Sequence, residues 1–435
     1  MMTQFVREFA QKHNLHGRRT VVVGAGKSGI AAARLLHALG AKVRLVDASE
    51  SLPAETVAEV EKVAELQTGP HSREQFADAD LVVMSPGVPA KKLTPYFGDL
   101  PARKIVAELE FASWFIQAPI IAITGSNGKT TTTTLIGELL EKSGKNVFVG
   151  GNIGTPLCEY LLNMDRADVI VLEVSSFQLQ NCRLFHPDVA VFLNIAPNHL
   201  DYHEDMEEYL EAKLQLFSQQ TPEDLAVVHE SLRPLIGERK FTEAEVVWYS
   251  SAKRFDAPHL PGEHNRANVQ AAWQAVKRFG VKPREAEKII SEFRPLEHRL
   301  ENIGQKNGVS FINDSKATTL EAVAAAVKSF GKSPVRLLMG GKFKGGDVAE
   351  LARQMEGRVA QVGLYGASRE IFEGPLKKYF PVSWDETLEQ AAKRLFTHAR
   401  TGDVILLSPG TSSFDQYPNY KERGGDFKRI FGELK

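Results

Sequence analysis

The chain has 435 residues, 43% of them hydrophobic and 25% charged, with a formal net charge of −1. That length is too great for one core and calls for roughly two to four domains. The charge balance argues against nucleic acid or an anionic membrane as a partner, and no run of about 18 apolar residues marks a membrane span. Two cysteines, Cys158 and Cys182, form neither a metal-ligand spacing nor a disulfide framework, which fits a reducing cytoplasm. The first residues, broken by Arg7, Lys12 and Arg18, do not read as a signal peptide.

Residues 20–106 alternate strand and helix. Thr20–Gly24 reads as a strand, Ser28–Leu39 as a helix with apolar positions 30, 35, 36 and 39, and Lys42–Val46 and Asp80–Met84 as further strands. Between the first strand and its helix lies Gly24-Ala25-Gly26-Lys27-Ser28-Gly29, a G-x-G-x-x-G loop, and Asp47 ends the next strand. Such glycines let a backbone approach a pyrophosphate while the acidic residue meets ribose hydroxyls. That chemistry suits UDP as well as NAD. Ser85-Pro86-Gly87-Val88 follows another strand end on the same edge.

From about residue 107 to 295 a longer α/β pattern surrounds Thr124-Gly125-Ser126-Asn127-Gly128-Lys129-Thr130-Thr131. An apolar strand (Pro119–Ile123) leads into this glycine loop, and a helix carrying Leu135, Ile136, Leu139 and Leu140 leaves it. Backbone amides and the helix N-terminus face nucleotide phosphates in this arrangement, Lys129 reaches the terminal phosphates, and Thr130 or Thr131 meets Mg. Ile123 stands where the commoner pattern has its first glycine. Asp168–Val174 is a nearly continuous apolar strand interrupted by Glu173, whose carboxylate needs either Mg or a structural salt bridge. Past the strand Asp188–Asn194, His199 is either a packed histidine or a ligand. The helix Met206–Ser218 places Lys213 on its apolar stripe with Leu210 and Phe217. That lysine either snorkels or presents a neutral amine able to take up CO2 as a metal-binding carbamate. Asn265 and Asn268 share a helical face and either read an adenine edge or cap the helix.

Residues 296–435 repeat the alternation, with strands at Val309–Asn313, Arg336–Met339, Val359–Leu364 and Asp403–Leu407 and helices such as Thr319–Ser329 and Thr387–Ala399. Polar clusters follow three strands: Asp314–Thr318, Gly340–Gly346 and Ser408–Asp415. On the carboxyl edge of a parallel sheet they converge on one ligand.

These motifs resemble the Mur ligases along the whole chain. The loop Thr124–Thr132, Glu173-Val-Ser-Ser-Phe-Gln-Leu179, Asn194-Ile-Ala-Pro-Asn-His-Leu-Asp201, Asn313-Asp-Ser-Lys-Ala-Thr318 and Ser408-Pro-Gly-Thr-Ser-Ser-Phe-Asp-Gln416 carry the likeness. It implies an α/β fold of three domains. Residues 1–106 form a Rossmann-like UDP-binding domain, 107–295 a central P-loop ATPase-like domain, and 296–435 a Rossmann-like domain for the incoming amino acid. It also implies ATP-dependent ligation of D-glutamate to UDP-N-acetylmuramoyl-L-alanine in the cytoplasm, by a monomer, with two Mg ions (Mn being an alternative) and a carbamate on Lys213. Gly26, Lys27, Ser28, Asp47, Ser85, Gly87 and Asn152 would contact the UDP substrate. Gly125, Ser126, Asn127, Gly128, Lys129, Thr130, Thr131, Asn265, Asn268, Arg299, Asp314 and Lys316 would contact ATP. Thr318, Lys344, Ser413, Phe414 and Tyr420 would surround D-glutamate, although relatives use other side chains at positions 414 and 420. Thr130, Glu173, His199 and carbamylated Lys213 would hold metal, and Lys129, His199 and Lys213 would be the catalytic group. The C-terminal unit is expected to close on the central one when ligands bind. The rivals are a sibling ligase with another acceptor, a folylpolyglutamate synthetase, and an NAD-binding sensor; the Ser-Ser-Phe-Gln motif argues against the first two, and the sensor leaves Glu173 and Lys213 unexplained.

Overall fold

The computed structural model describes residues 15–163, 166–196, 202–260, 262–294, 297–331 and 333–434. His199 therefore lies outside the described residues. The chain divides into two compact units: 1–195 with 199–250 and 268–289, and 196–198 with 251–267 and 290–435.

The first unit holds two parallel sheets. One has the order β3-β2-β1-β4-β5, built from β1 (Arg19–Val23), β2 (Lys42–Asp47), β3 (Glu65–Thr68), β4 (Leu81–Met84) and β5 (Ile105–Ala107). The other has the order β11-β10-β9-β6-β8-β7, from β6 (Ile120–Thr124), β7 (Val147–Gly151), β8 (Val169–Glu173), β9 (Val189–Phe192), β10 (Leu225–His229) and β11 (Glu245–Tyr249). The central strands β6, β8 and β9 are buried at every residue. This explains why they read as continuous rather than alternating apolar runs. The two sheets share a core in which Leu36, Phe111, Leu161 and Ile170 belong to one cluster.

The second unit has a sheet of order β12-β13-β17-β14-β15-β16, from β12 (Glu301–Lys306), β13 (Val309–Asn313), β14 (Val335–Gly340), β15 (Val359–Tyr365), β16 (Val382–Asp385) and β17 (Val404–Leu407). Helices cover both faces. Leu337 and Leu406 enter one core, while their neighbours Leu338 and Leu407 enter the other, the alternation that a pleated strand imposes. The sequence gives no sign that β12 pairs antiparallel with β13 at the sheet edge. Its polar run Glu301-Asn-Ile-Gly-Gln-Lys306 is half-solvated and carries little hydrophobic pattern. Among the described residues no helix is long and apolar enough to cross a membrane.

Candidate active site

Parallel register builds the first half of the site. β6 pairs with β8 so that Ile123 lies beside Glu173, and with β9 so that Thr124 lies beside Phe192. The glycine loop leaving β6 is thereby flanked by the ends of both neighbours, the crevice in which open sheets bind ligands. Gly128, at φ +83°, turns the chain into the helix Lys129–Lys142. A Cβ there would stand 2.3 Å from Asn268 Oδ1, so glycine is required both by conformation and by the close approach of Asn268. Asn194 braces the loop from β9: its amide side chain accepts from Asn127 N (2.9 Å) and donates to Asn127 O (3.0 Å), and its carbonyl accepts from Ser126 N (3.0 Å). Asn194 opens the Asn194–Asp201 motif, but nothing in its spacing indicates this role.

Lys129 turns back on the loop and donates to Gly125 O (2.8 Å) and Ser126 O (3.1 Å). Thr130 donates to Glu173 at 2.6 Å, and Asn152 donates to the other oxygen of Glu173 at 2.8 Å. Asn152 is thus placed on the carboxylate. Glu173 is 3% exposed, and among the described residues it has no cationic side chain within ion-pair distance. The structural salt bridge is therefore not what Glu173 makes there. A buried carboxylate held by neutral donors, next to a loop threonine hydroxyl, is a donor set that suits a hard divalent cation. Among the described residues no group of three or more His, Cys, Asp or Glu side chains is placed to hold a metal.

Lys213 settles the choice between snorkelling and burial. It is 1% exposed, at the end of an α-helix (Met206–Leu214) that tightens into a 3₁₀ turn (Gln215–Phe217). Its amine reaches under the loop to Gly125 O (3.1 Å) and Thr124 Oγ1 (3.4 Å), and lies 4.5 Å from the centre of the Tyr209 ring. Burial, and then the charge of Lys129, hold this amine well below the usual lysine range, with Glu173 opposing them. Tyr209 in turn shares a hydrogen bond with Ser126 (3.1 Å). Asn265 and Asn268 are both buried and lie inside the helix Glu263–Val276, so neither is its N-cap. Asn268 belongs to the first unit and Asn265 to the second.

At the other sheet of the first unit, β1 and β4 are neighbours. The Gly24–Gly29 loop and the Ser85–Val88 turn therefore share one edge. The Asp47 carboxylate accepts from Ala25 N (2.7 Å) and Ser49 N (2.9 Å), pinning the loop. Ser85 donates to Gly24 O (3.1 Å), and Lys27 to Gly154 O (2.5 Å). Gly26, Lys27 and Gly87 are exposed and Ser28 is half-buried.

In the second unit, the three polar clusters follow β13, β17 and β14, which are adjacent in that order. The strand order therefore brings them together. Ser408 donates to Asp314 (2.9 Å), Gly410 N to Ala317 O (2.9 Å), and Thr411 Oγ1 to Gly340 O (2.6 Å), while Lys342 and Ser412 exchange backbone bonds. Burial pushes the Asp314 carboxyl up to about 7, against its hydrogen bonds from Ser408 and Leu300 N and the charge of Arg299. The Lys316 amine lies 4.6 Å from the centre of the Tyr420 ring and 3.3 Å from its hydroxyl. Ser413 is buried, Thr318 half-buried and Lys344 exposed, and Phe414 is 66% exposed.

Family models match in three blocks: Mur ligase MurD-like, N-terminal domain, over residues 18–96; Mur ligase middle domain over 123–259; and Mur ligase, glutamate ligase domain over 298–410. The chain is 50% identical over 419 residues to a UDP-N-acetylmuramoylalanine--D-glutamate ligase of Oleidesulfovibrio alaskensis, covering 95% of this chain and 93% of that one. It is 49% identical to a ligase of the same name from Lawsonia intracellularis, over 96% and 94%. A MurF ligase of Thermotoga maritima in complex with ADP shares the fold at a TM-score of 0.59 and 17% identity, over 96% and 94%. The chain belongs to the Mur ligase family.

Proposed function

We propose that this chain joins D-glutamate to UDP-N-acetylmuramoyl-L-alanine at the expense of ATP, forming ADP and phosphate in peptidoglycan precursor synthesis. The observation that carries the reading is the meeting of Lys129, Thr130, Glu173 and buried Lys213 around one glycine loop. The curated relatives named above support the choice of substrates. Residues 1–106 hold the UDP end, 107–295 the ATP and 296–435 the amino acid, and the protein acts in the cytoplasm as a monomer.

The L-alanyl carboxylate attacks the γ-phosphorus of ATP; the P–O bond to ADP breaks and an acyl phosphate forms. The loop amides and Lys129 hold the phosphates in line and offset the charge that develops on the transferred group. Thr130 and Glu173, joined by His199, would hold Mg, which supplies further neutralisation when bound. The neutral Lys213 amine takes up CO2, losing a proton to become a carbamate and adding a negative oxygen to that donor set. The free amine of D-glutamate then attacks the acyl carbon and loses a proton, and phosphate leaves from the tetrahedral intermediate. Thr318, Lys344, Ser413, Phe414 and Tyr420 orient this acceptor, with Arg299, Asp314 and Lys316 on the nucleotide.

Phosphate release measured with UDP-N-acetylmuramoyl-L-alanine, ATP and Mg tests the reading, with D-glutamate compared against L-glutamate, D-aspartate, L-lysine and no acceptor. Release dependent on D-glutamate is expected. Dependence on another acceptor would move the chain to a sibling activity, and no release with any acceptor would refute ligase chemistry.

A further inference from the structure

Arg423 lies on the helix Tyr420–Glu433 and is 0% exposed. Its Nε donates to Ser315 Oγ (3.0 Å), its Nη2 to Ser315 O (2.8 Å) and Thr411 O (3.1 Å), and its Nη1 to Gly340 O (3.4 Å). Ser315 and Thr411 stand on the loops that follow β13 and β17, and Gly340 ends β14 where the third loop begins. One guanidinium therefore spans the whole acceptor edge of the second unit. The packing around it is tight: a Cβ on Gly341 would come within 2.3 Å of Ser412 O and Thr411 Oγ1 and 3.1 Å of Arg423 Nη1.

Every one of these acceptors is a neutral oxygen, and among the described residues no carboxylate pairs with Arg423. A buried charge without a counter-charge is costly. Its planar fork of donors explains part of its retention, since no other side chain reaches three carbonyls at fixed angles. Its charge explains the rest: in a low-dielectric surrounding it favours a negatively charged ligand nearby.

We propose that Arg423 is the positioning residue of the amino-acid half of the site. It locks the three loops in register and adds a positive field that selects an acidic acceptor, without itself touching the substrate. This rests on the function proposed above and deepens it.

The test is a steady-state comparison of wild type, Arg423→Met and Arg423→Lys with each substrate varied in turn. For Arg423→Met the expected result is a rise in the KM for D-glutamate on the order of a hundredfold, the scale for removing a buried hydrogen-bonded charge. The KM for the UDP substrate should stay within about twofold, and that for ATP should rise much less than that for D-glutamate, its rise coming from Asp314 and Lys316 on either side of Ser315. Arg423→Lys should recover only part of the loss, because a point charge cannot bridge three loops. Should Arg423→Met fail to fold, Ser315→Ala decides the matter. It removes the side-chain acceptor of Nε together with the hydrogen bond that Ser315 Oγ donates to Tyr420 O (2.8 Å) at the start of the same helix, and should raise the KM for D-glutamate several-fold with an unchanged circular dichroism spectrum. Equal changes in all three KM values, a fall in kcat alone, or an unchanged KM for D-glutamate in Ser315→Ala would overturn the proposal. If wild type itself works only with a different acidic acceptor, the functional reading fails, and the same KM comparison made with that acceptor still tests Arg423.

Discussion

Replacing Asp314 by Asn separates what this residue does for ATP from what it costs the fold. The carboxyl is buried, accepts from Ser408 Oγ and Leu300 N, and is pushed from the ordinary 3.8 up to about 7. Between those two values the folded protein keeps a proton that the unfolded chain has released, so stability falls as pH rises through that window. At about 1.4 kcal/mol per pH unit, the ionisation costs on the order of 4 kcal/mol by pH 8. Asparagine keeps the shape and cannot ionise, but it presents an amide where the carboxylate had an acceptor, at a cost of about 1 kcal/mol. The expected net gain is about 2–3 kcal/mol at pH 8, or roughly 5–10 °C in the melting of the unit that contains it. The gain should vanish by about pH 4, where both side chains are neutral. Differential scanning calorimetry of the full chain at several pH values measures this, and phosphate release should show the variant inactive. A difference between variant and wild type that stays flat with pH, or a less stable variant at pH 8, would refute the reasoning.

Three further outcomes follow from the geometry. Gly128→Ala forces φ +83° on a residue whose Cβ meets Asn268 at 2.3 Å; it should destabilise by about 1–3 kcal/mol and abolish ADP binding in calorimetric titration. Lys213→Ala should lose D-glutamate-dependent turnover and regain some with acetate or formate, and ¹³CO2 labelling of wild type should give a carbamate carbon resonance that this variant lacks. Loss of the resonance from neither protein, or its absence from both, would count against the carbamate. Asp403→Ala strands Arg336, whose Nε lies 2.7 Å from it in a nearly buried pair; removing one partner should cost about 3–5 kcal/mol, read as a lower melting temperature with the KM values unchanged.

Local physics made much of this molecule legible in the sequence. The glycine loop, its strand and its helix are a contiguous device, and apolar runs such as Val169–Glu173 announce strands covered on both faces. The polar clusters at 314–318, 340–346 and 408–415 are recognisable because each follows an apolar strand. Pattern alone left Lys213 open, since a lysine on an apolar stripe is compatible with a buried or a snorkelling amine. Burial is decided by what packs above the stripe, here the loop at Thr124 and Gly125. The same holds for Asp47 and Asn152, whose residue types suggest ligand contacts and whose placement is on Ala25 N and Glu173. Arg423 had no sequence signal at all. It is one of two arginines in a polar helix, about a hundred residues from Ser315, and its meaning comes from strand order, which sets β13, β17 and β14 side by side. The sequence by itself determined many of the elements, the residue types that stand at the strand ends, and the family. Tertiary structure alone decided which of those ends meet, which charges lose water, and therefore which amine and which carboxyl leave their ordinary pKa range, because desolvation is a property of neighbours distant in the chain.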